Sequence, residues 1–411
     1  MRIAFVAVRV PYPLNAGGRI RSFHLLKQLA RTQRVTLVTG IESEAEARAA
    51  AALQEQIPDL ALRAARVPPR NAPIRAAARA LRNPVDSLPY TWAAYRHRRF
   101  VDNLAQTLRT DAYDLVHCDH VQVAHAALAL ETPPRVLNAH NVDSLLVNRL
   151  ADVEARPLRR MLLRWQAAKV ERAERQTYGR FDGGLAMSEV DREHLLRIAP
   201  GLPVWTVPNG VDVEWFTPAS GRPDPDLMVF SGAMDWQPNG DAVSYFARSV
   251  LPLVRRRRPR ARLEVVGRNP SSALLSTLAS EPGVSFTGTV DDVRPYLARA
   301  ALIVVPLRVG SGTRLKILEA WAMAKPVLST TVGAEGLPGR DGEHLGIADS
   351  PEHMARCALD LLADPARAER LGLAGRQLAE ASFSWKRIVD GLLAAYEGTL
   401  ARRGVARSSG A

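Results

Sequence analysis

At 411 residues the chain is too long for one ordinary domain and divides naturally into two of about 200 residues each. Hydrophobic residues make up 47% and charged residues 24%, which excludes a disordered chain and leaves room for two cores, while Cys118 and Cys357 are too few and too far apart for a disulfide framework or a zinc site. The net charge of +13 and pI near 10.4 admit nucleic acid, anionic lipid or a phosphorylated substrate; aromatics are only 6% and no zinc-finger, RNA-recognition or helix-turn-helix pattern accompanies the basic stretches, so no specific nucleic-acid partner is expected.

The N-terminal run Met1 to Val8 reads as a buried first strand rather than a signal peptide, because Arg9 interrupts it and Pro11 and Pro13 follow without a small-residue cleavage site. No stretch reaches the roughly 20 apolar residues that would cross a bilayer, so a cytoplasmic protein is expected, able to lie on the inner face of the plasma membrane. Pro11 to Gly18 reads as a turn-rich loop. Arg19 to Thr32 has helical periodicity, with Ile20, Phe23, Leu26, Leu29 and Ala30 on one face. Further strands are expected at Val35 to Val38, at 111–118 and at Arg135 to Ala139. Residues 65–100 break this rhythm with arginines and prolines. Residues 154–180 read as a long basic helix with an apolar stripe of Leu158, Met161, Leu162, Trp165 and Ala168.

The segment from Pro203 to Pro225, rich in Pro, Asn and Gly, marks an interdomain connection. Beyond it the alternation resumes, with strands expected at Asp226–Ser231, Arg262–Val266, Val284–Thr287, Ala301–Val305 and Pro326–Ser329. Short apolar strands separated by helical segments signal parallel sheets covered on both faces. The expected architecture is therefore α/β, with two Rossmann-like doubly wound domains in series.

The most informative segment is 309–338. It follows an apolar strand and places Gly310, Ser311, Gly312 and Thr313 before a helix that starts at Leu315. A glycine loop feeding a helix N-terminus suits a phosphate, since unpaired N–H groups and the helix dipole point at the anion. Arg314 and Lys316 put two cations where the dipole disfavours them, a conflict that an arriving diphosphate would resolve. Glu319 lies among apolar helix positions, where a buried carboxylate needs partners such as ligand hydroxyls.

From here the chain resembles the retaining glycosyltransferases of family 4, which have the two-domain GT-B fold. The resemblance starts at the loop ending in Gly17-Gly18 and takes in DLVHCDH (114–120), LNAHN (137–141), VPNGVDVEWF (207–216), VFSGAMDWQPNGDA (229–242) and GTRLKILEA (312–320). It implies two facing domains across a cleft: residues 1–205 on the acceptor side, with a C-terminal helix near 386–403 returning to them, and residues 206–385 binding a nucleotide-sugar. It implies catalytic roles for His140, beside the transferred sugar, and for Arg314 and Lys316, at the leaving diphosphate. Gly17, Gly18, Gly310, Ser311, Gly312, Thr313 and Glu319 would bind the donor, Glu319 through the ribose.

The chain departs from the family where Ser311 replaces the first glutamate of its pair, and where GAMDWQPN replaces an Arg and Lys after the first strand of the second domain. The implied co-substrate is a nucleoside-diphosphate sugar, with a glycan or lipid-linked acceptor in cell-surface or exopolysaccharide synthesis. No metal or other cofactor is expected. An epimerase or hydrolase of related fold and a non-enzymatic basic scaffold on an anionic membrane surface are the alternatives.

Three other features have plainer readings. His117 and Asp119 of HCDH could share a face of their strand, with His120 on the other, so a strand-edge role is expected there rather than a metal site. Asp291 is expected to cap the helical run that follows it. The basic residues of 65–100 and of the 154–180 helix are the candidates for contact with an anionic leaflet.

Overall fold

The computed structural model describes residues 1–310, 313–402 and 404; Ser311 and Gly312 lie outside the described residues. The chain forms two compact units. The first comprises Met1–Pro208 together with the chain from Ile388 on, and the second Asn209–Arg387. The first boundary falls just beyond the expected 205/206 because the carbonyls of Val207 and Pro208 accept hydrogen bonds from Arg21, a buried residue of the first unit.

The first unit is built on a seven-stranded sheet of order β3-β2-β1-β4-β5-β6-β7. Its strands are β1 (Arg2–Ala7), β2 (Arg34–Ile41), β3 (Ala61–Arg66), β4 (Leu115–Cys118), β5 (Arg135–Ala139), β6 (Gly183–Ala186) and β7 (Val204–Thr206). All neighbours pair in parallel. The central strands β1, β4, β5 and β6 are almost wholly buried, as their continuous apolar runs require. The edge strand β3, with sequence ALRAAR, was not expected: it lies mostly in solvent and carries no apolar pattern.

The helix Gly17–Leu29 begins on the two glycines that the sequence placed in a loop. The 154–180 helix runs from Pro157 to Tyr178; its buried side is Ala167, Val170, Ala173, Glu174 and Tyr178, and the expected apolar stripe lies on the exposed side. The C-terminal helix Trp385–Arg402 passes back into the first unit, where Trp205 on β7 fills the space left by Gly183 and Gly398.

The second unit has a six-stranded sheet of order β10-β9-β8-β11-β12-β13, again parallel. These strands are β8 (Asp224–Ser231), β9 (Arg262–Val266), β10 (Val284–Gly288), β11 (Ala300–Val305), β12 (Val327–Ser329) and β13 (Gly346–Ile347). The helix Leu315–Ala322 buries Trp321, whose indole lies against Gly339 and Gly375 and donates to the His344 carbonyl at 2.9 Å. The helix expected after Asp291 starts only at Arg294. Its first amide is bonded by Asp292, at 2.9 Å, so the second aspartate of the pair holds the turn.

In both sheets the strand order reverses once, between β1 and β4 and between β8 and β11. A crevice opens at the carboxyl ends of strands at such a reversal, which is where open α/β sheets bind ligands.

Candidate functional site

Each unit gathers its predicted residues at that reversal. In the first unit the chain leaves β1 and enters the Gly17–Leu29 helix, while β4 ends at Cys118 and β5 at Ala139. Because Cys118 pairs with Leu137, the residues just beyond them fall side by side, and Asp119 meets Asn138 and His140. His140 Nε2 lies 3.0 Å from Asp119 Oδ1, and Asn138 Nδ2 donates to the same oxygen at 2.9 Å. Ser22 of the helix donates to the other oxygen. His117 Nε2 approaches Oδ1 at 3.4 Å, and His120 Nδ1 lies 3.3 Å from Oδ2.

Asp119 is fully buried, yet it stays ionised. Burial alone would raise its pKa; the histidines around it outweigh that and hold it well below the usual carboxylate range. Buried Arg21, bonded to the Val207 and Pro208 carbonyls, offsets the charge. His140 goes the other way: burial, then His120, lowers its pKa to about 4 against the pull of Asp119. A neutral His140 donating from Nε2 to the carboxylate has Nδ1 as its basic nitrogen.

His140 stacks on His120 with ring centroids 3.8 Å apart. A β-carbon at Gly18 would sit 3.4 Å from His120 Nε2 and 3.6 Å from His140 Nδ1, so Gly18 brings bare backbone up to both rings. Gly17 is exposed at the helix start. His120 therefore joins the group, against the expectation that it would face away from His117 and Asp119. The strand's alternation ends at Cys118, and the backbone turns immediately after it. The ligand atoms of Asp119, His120 and His140 lie within 4.8 Å of one another, close enough for one divalent ion. Ser22 and Asn138 already engage both oxygens of the carboxylate, so the donors present fit a hydrogen-bonded network better than a cation site.

In the second unit, β11 leads to Gly310, whose φ of 158° suits glycine, and on to Thr313 and Arg314 at the start of the Leu315–Ala322 helix. Arg314 is buried, with its guanidinium beneath Gly310 and Nη2 3.4 Å from the Val332 carbonyl. Thr313 is buried and tied to the PNGVD segment: the Asn209 side chain donates to the Thr313 carbonyl at 3.0 Å, and the Asn209 amide to its hydroxyl at 3.4 Å. Two motifs far apart in sequence thus form one piece of structure.

Lys316 reaches toward the end of β8. Its ammonium lies 3.8 Å from the centroid of the Phe230 ring, donates to Asn239 Oδ1 at 2.9 Å and abuts Gly232. Asn239 belongs to the GAMDWQPN stretch that lacks the family's two cations, and no local pattern marks its role. Glu319 follows Lys316 by one helical turn. Burial lowers the Lys316 pKa to about 7, with Arg314 lowering it further and Glu319 opposing, and burial raises Glu319 to about 7. A lysine and a glutamate poised near neutrality beside a glycine loop are suited to an anionic, hydroxyl-bearing ligand.

Residues 15–215 match the family model described as Glycosyltransferase Family 4, and residues 225–364 the model described as Glycosyl transferases group 1. Among curated relatives, the chain is 31% identical over 218 residues to a D-inositol 3-phosphate glycosyltransferase from Thermobifida fusca, covering 48% of this chain and 50% of that one. The chain thus spans about half the length of that relative. Among solved structures, sucrose-phosphate synthase from Thermosynechococcus elongatus aligns with a TM-score of 0.71 at 18% identity, over 98% of this chain and 100% of that one. Anabaena HepE in complex with UDP and glucose aligns with a TM-score of 0.68 at 14% identity, over 97% and 100%. These likenesses establish the fold. With two glycosyltransferase models together taking in most of its length, the chain belongs to the glycosyltransferases, its residues 15–215 to the family 4 model.

Proposed function

We propose that the protein moves a sugar, with retention of anomeric configuration, from a nucleoside-diphosphate sugar to a glycan or lipid-linked acceptor in cell-surface polysaccharide synthesis, working peripherally at the inner face of the plasma membrane. The observation that carries the donor assignment is the joined loop of the second unit, with Gly310, Thr313 held by Asn209, and Lys316 over the end of β8. Breaking the bond from anomeric carbon to phosphate leaves negative charge on the diphosphate. Backbone N–H groups at the helix start and the Lys316 ammonium meet that charge, each such preorganised donor contributing about 3 kcal/mol to the transition state. Arg314, buried beneath Gly310, holds the loop and adds its field. The proposal needs no metal, because these groups supply the positive charge. Glu319 would accept from the ribose hydroxyls. In the first unit, His140, oriented by Asp119, is the group for the transferred sugar.

Thermal shifts with a panel of nucleotide-sugars test the donor assignment, since a ligand that binds only the folded state raises the melting temperature. One base and one sugar should stand out, and Lys316→Met should reduce that shift. A panel with no shift at all would refute the nucleotide-sugar reading. Release of free sugar without any acceptor, at the full rate of the enzyme, would favour a hydrolase instead.

A further inference from the structure

Two stretches of the first unit expose apolar residues in helical register and flank them with arginine. The helix Pro73–Arg82 buries none of its residues. Ile74 and Leu81, seven residues apart and so on one face, are 86% and 83% exposed, and Val85 beyond the helix is 88% exposed. Arg75 and Arg82 repeat the same spacing one position on. The first turns of the helix Pro157–Tyr178 do likewise: residues 155–162 are exposed almost without exception, Leu158 at 79% and Met161 at 66%, with Leu162 and Trp165 continuing the stripe and Arg156, Arg160 and Arg164 beside it. Lys169 joins the two stretches by donating to Asn83, the residue that ends the shorter helix, at 3.0 Å from its side-chain oxygen.

A ten-residue helix with an unburied apolar stripe is marginal in water by itself, since most helical stability comes from burying such a face. The occupant has to be apolar below and anionic around. Residues 73–85 and 155–165 contain no carboxylate. A second copy of this basic chain would bring arginine against arginine. A bilayer with anionic headgroups satisfies both demands: the leucines, isoleucine, valine and methionine enter the acyl boundary, Trp165 sits at headgroup depth, and Arg75, Arg82, Arg156 and Arg160 meet lipid phosphates, while Arg79 is held by Tyr90 and Arg164 by Asp152. We infer that residues 73–85 and the first turns of the Pro157–Tyr178 helix form an interfacial anchor that lays the first unit on an anionic membrane. This rests on the peripheral location proposed above but not on sugar transfer.

The test is co-sedimentation of the full chain with vesicles of phosphatidylcholine mixed with phosphatidylglycerol, against phosphatidylcholine alone. The mixed vesicles should bind the protein, less so as salt rises. Ile74→Ser/Leu81→Ser/Val85→Ser and Leu158→Ser/Met161→Ser/Trp165→Ser should each weaken binding about tenfold or more, as the loss of three exposed apolar anchors implies. Both variants should keep the melting temperature and the nucleotide-sugar-induced shift of the parent, because none of the six side chains is buried. A parent that stays in the supernatant with mixed vesicles, or variants that bind as well as the parent, would overturn the inference. So would self-association of the parent that both variants lose without any lipid binding, since the face would then belong to a second copy. Loss of the nucleotide-sugar shift with vesicle binding intact would count against the donor site alone.

Discussion

Tyr396 and His117 are 279 residues apart in sequence, and in the fold the tyrosine hydroxyl lies 2.7 Å from His117 Nδ1. Both are completely buried, and the His117 ring is also stacked on Phe5 of β1 at 4.3 Å. With the tyrosine donating to Nδ1, His117 carries its proton on Nε2 and directs it to Asp119, which in turn receives His140. The C-terminal helix thus ends a chain of hydrogen bonds that runs to the candidate catalytic histidine.

Tyr396→Phe should therefore destabilise the first unit by about 1–2 kcal/mol, because it removes a donor and leaves a buried imidazole nitrogen without one. Urea unfolding of parent and variant measures the difference. The phenyl ring preserves the packing, so an unchanged midpoint would mean that the hydroxyl makes no net contribution and the chain of bonds is not held from this end.

Acid should weaken the same unit through His140. In the unfolded chain this group titrates at about 6.5, and in the fold at about 4, so between those values the unfolded chain takes up a proton that the fold refuses. The contribution is fully present above 6.5 and is lost as pH falls through the window, by about 3 kcal/mol in all. His140→Asn should flatten the pH dependence of the unfolding midpoint there. If the slopes of parent and variant coincide, His140 is not held neutral by the fold.

Much of this arrangement was legible before the structure, for a physical reason. Strands buried on both faces are continuous apolar runs, and β5 and β9 match their expected bounds residue for residue. The edge strand β3 had no such signal, because little of it is buried. Gly17 and Gly18 read as loop by composition, yet they open a helix, where a missing side chain lets the backbone approach two histidines. The Asp119 network was the least legible part. It depends on the pairing of β4 with β5, which sets Cys118 beside Leu137, and no local pattern reveals which strands are neighbours. The loop of Gly310 to Lys316 was readable because strand, glycine and helix follow one another in the chain. Its ties to Asn209 and Asn239 were not, since both arrive from elsewhere in the sequence.

Gly310→Ala tests whether that loop and Arg314 act together. A β-carbon at position 310 would run into the Arg314 guanidinium, and the φ of 158° is one that alanine rarely adopts. The guanidinium is the far end of a flexible side chain and can yield, so the global cost should stay near 1–2 kcal/mol. Displacing it should nevertheless lower transfer severely. Arg314→Ala should do the same with the glycine intact, and the double variant should lose little beyond either single one, as residues acting on one element are not additive. Additive losses in the double-variant cycle would show that Gly310 and Arg314 serve separate ends.

Lys316 and Glu319 allow the donor assignment to be read from protons as well as from rates. Lys316 titrates near 7 in the fold instead of 10.5, so above neutrality it is largely uncharged until an anion arrives. A diphosphate favours the ammonium, and binding should then take up a proton, with affinity falling as pH rises through 7 and beyond. Glu319, raised to about 7, works in the opposite sense: ribose hydroxyls that donate to it favour the carboxylate and release a proton on binding. Glu319→Gln removes that release and also the charge that supports the ammonium, so it should leave a clear net uptake when the nucleoside diphosphate selected by the thermal-shift panel is titrated calorimetrically in two buffers of different ionisation heat. Adding Lys316→Met should abolish the uptake and weaken that nucleoside diphosphate about tenfold or more, the loss of one charge-assisted contact. Protons released by the nucleotide itself are common to both variants and cancel in the comparison. Equal uptake in the single and double variants would remove Lys316 from the diphosphate, and with it the charge on which the proposed departure of the leaving group depends.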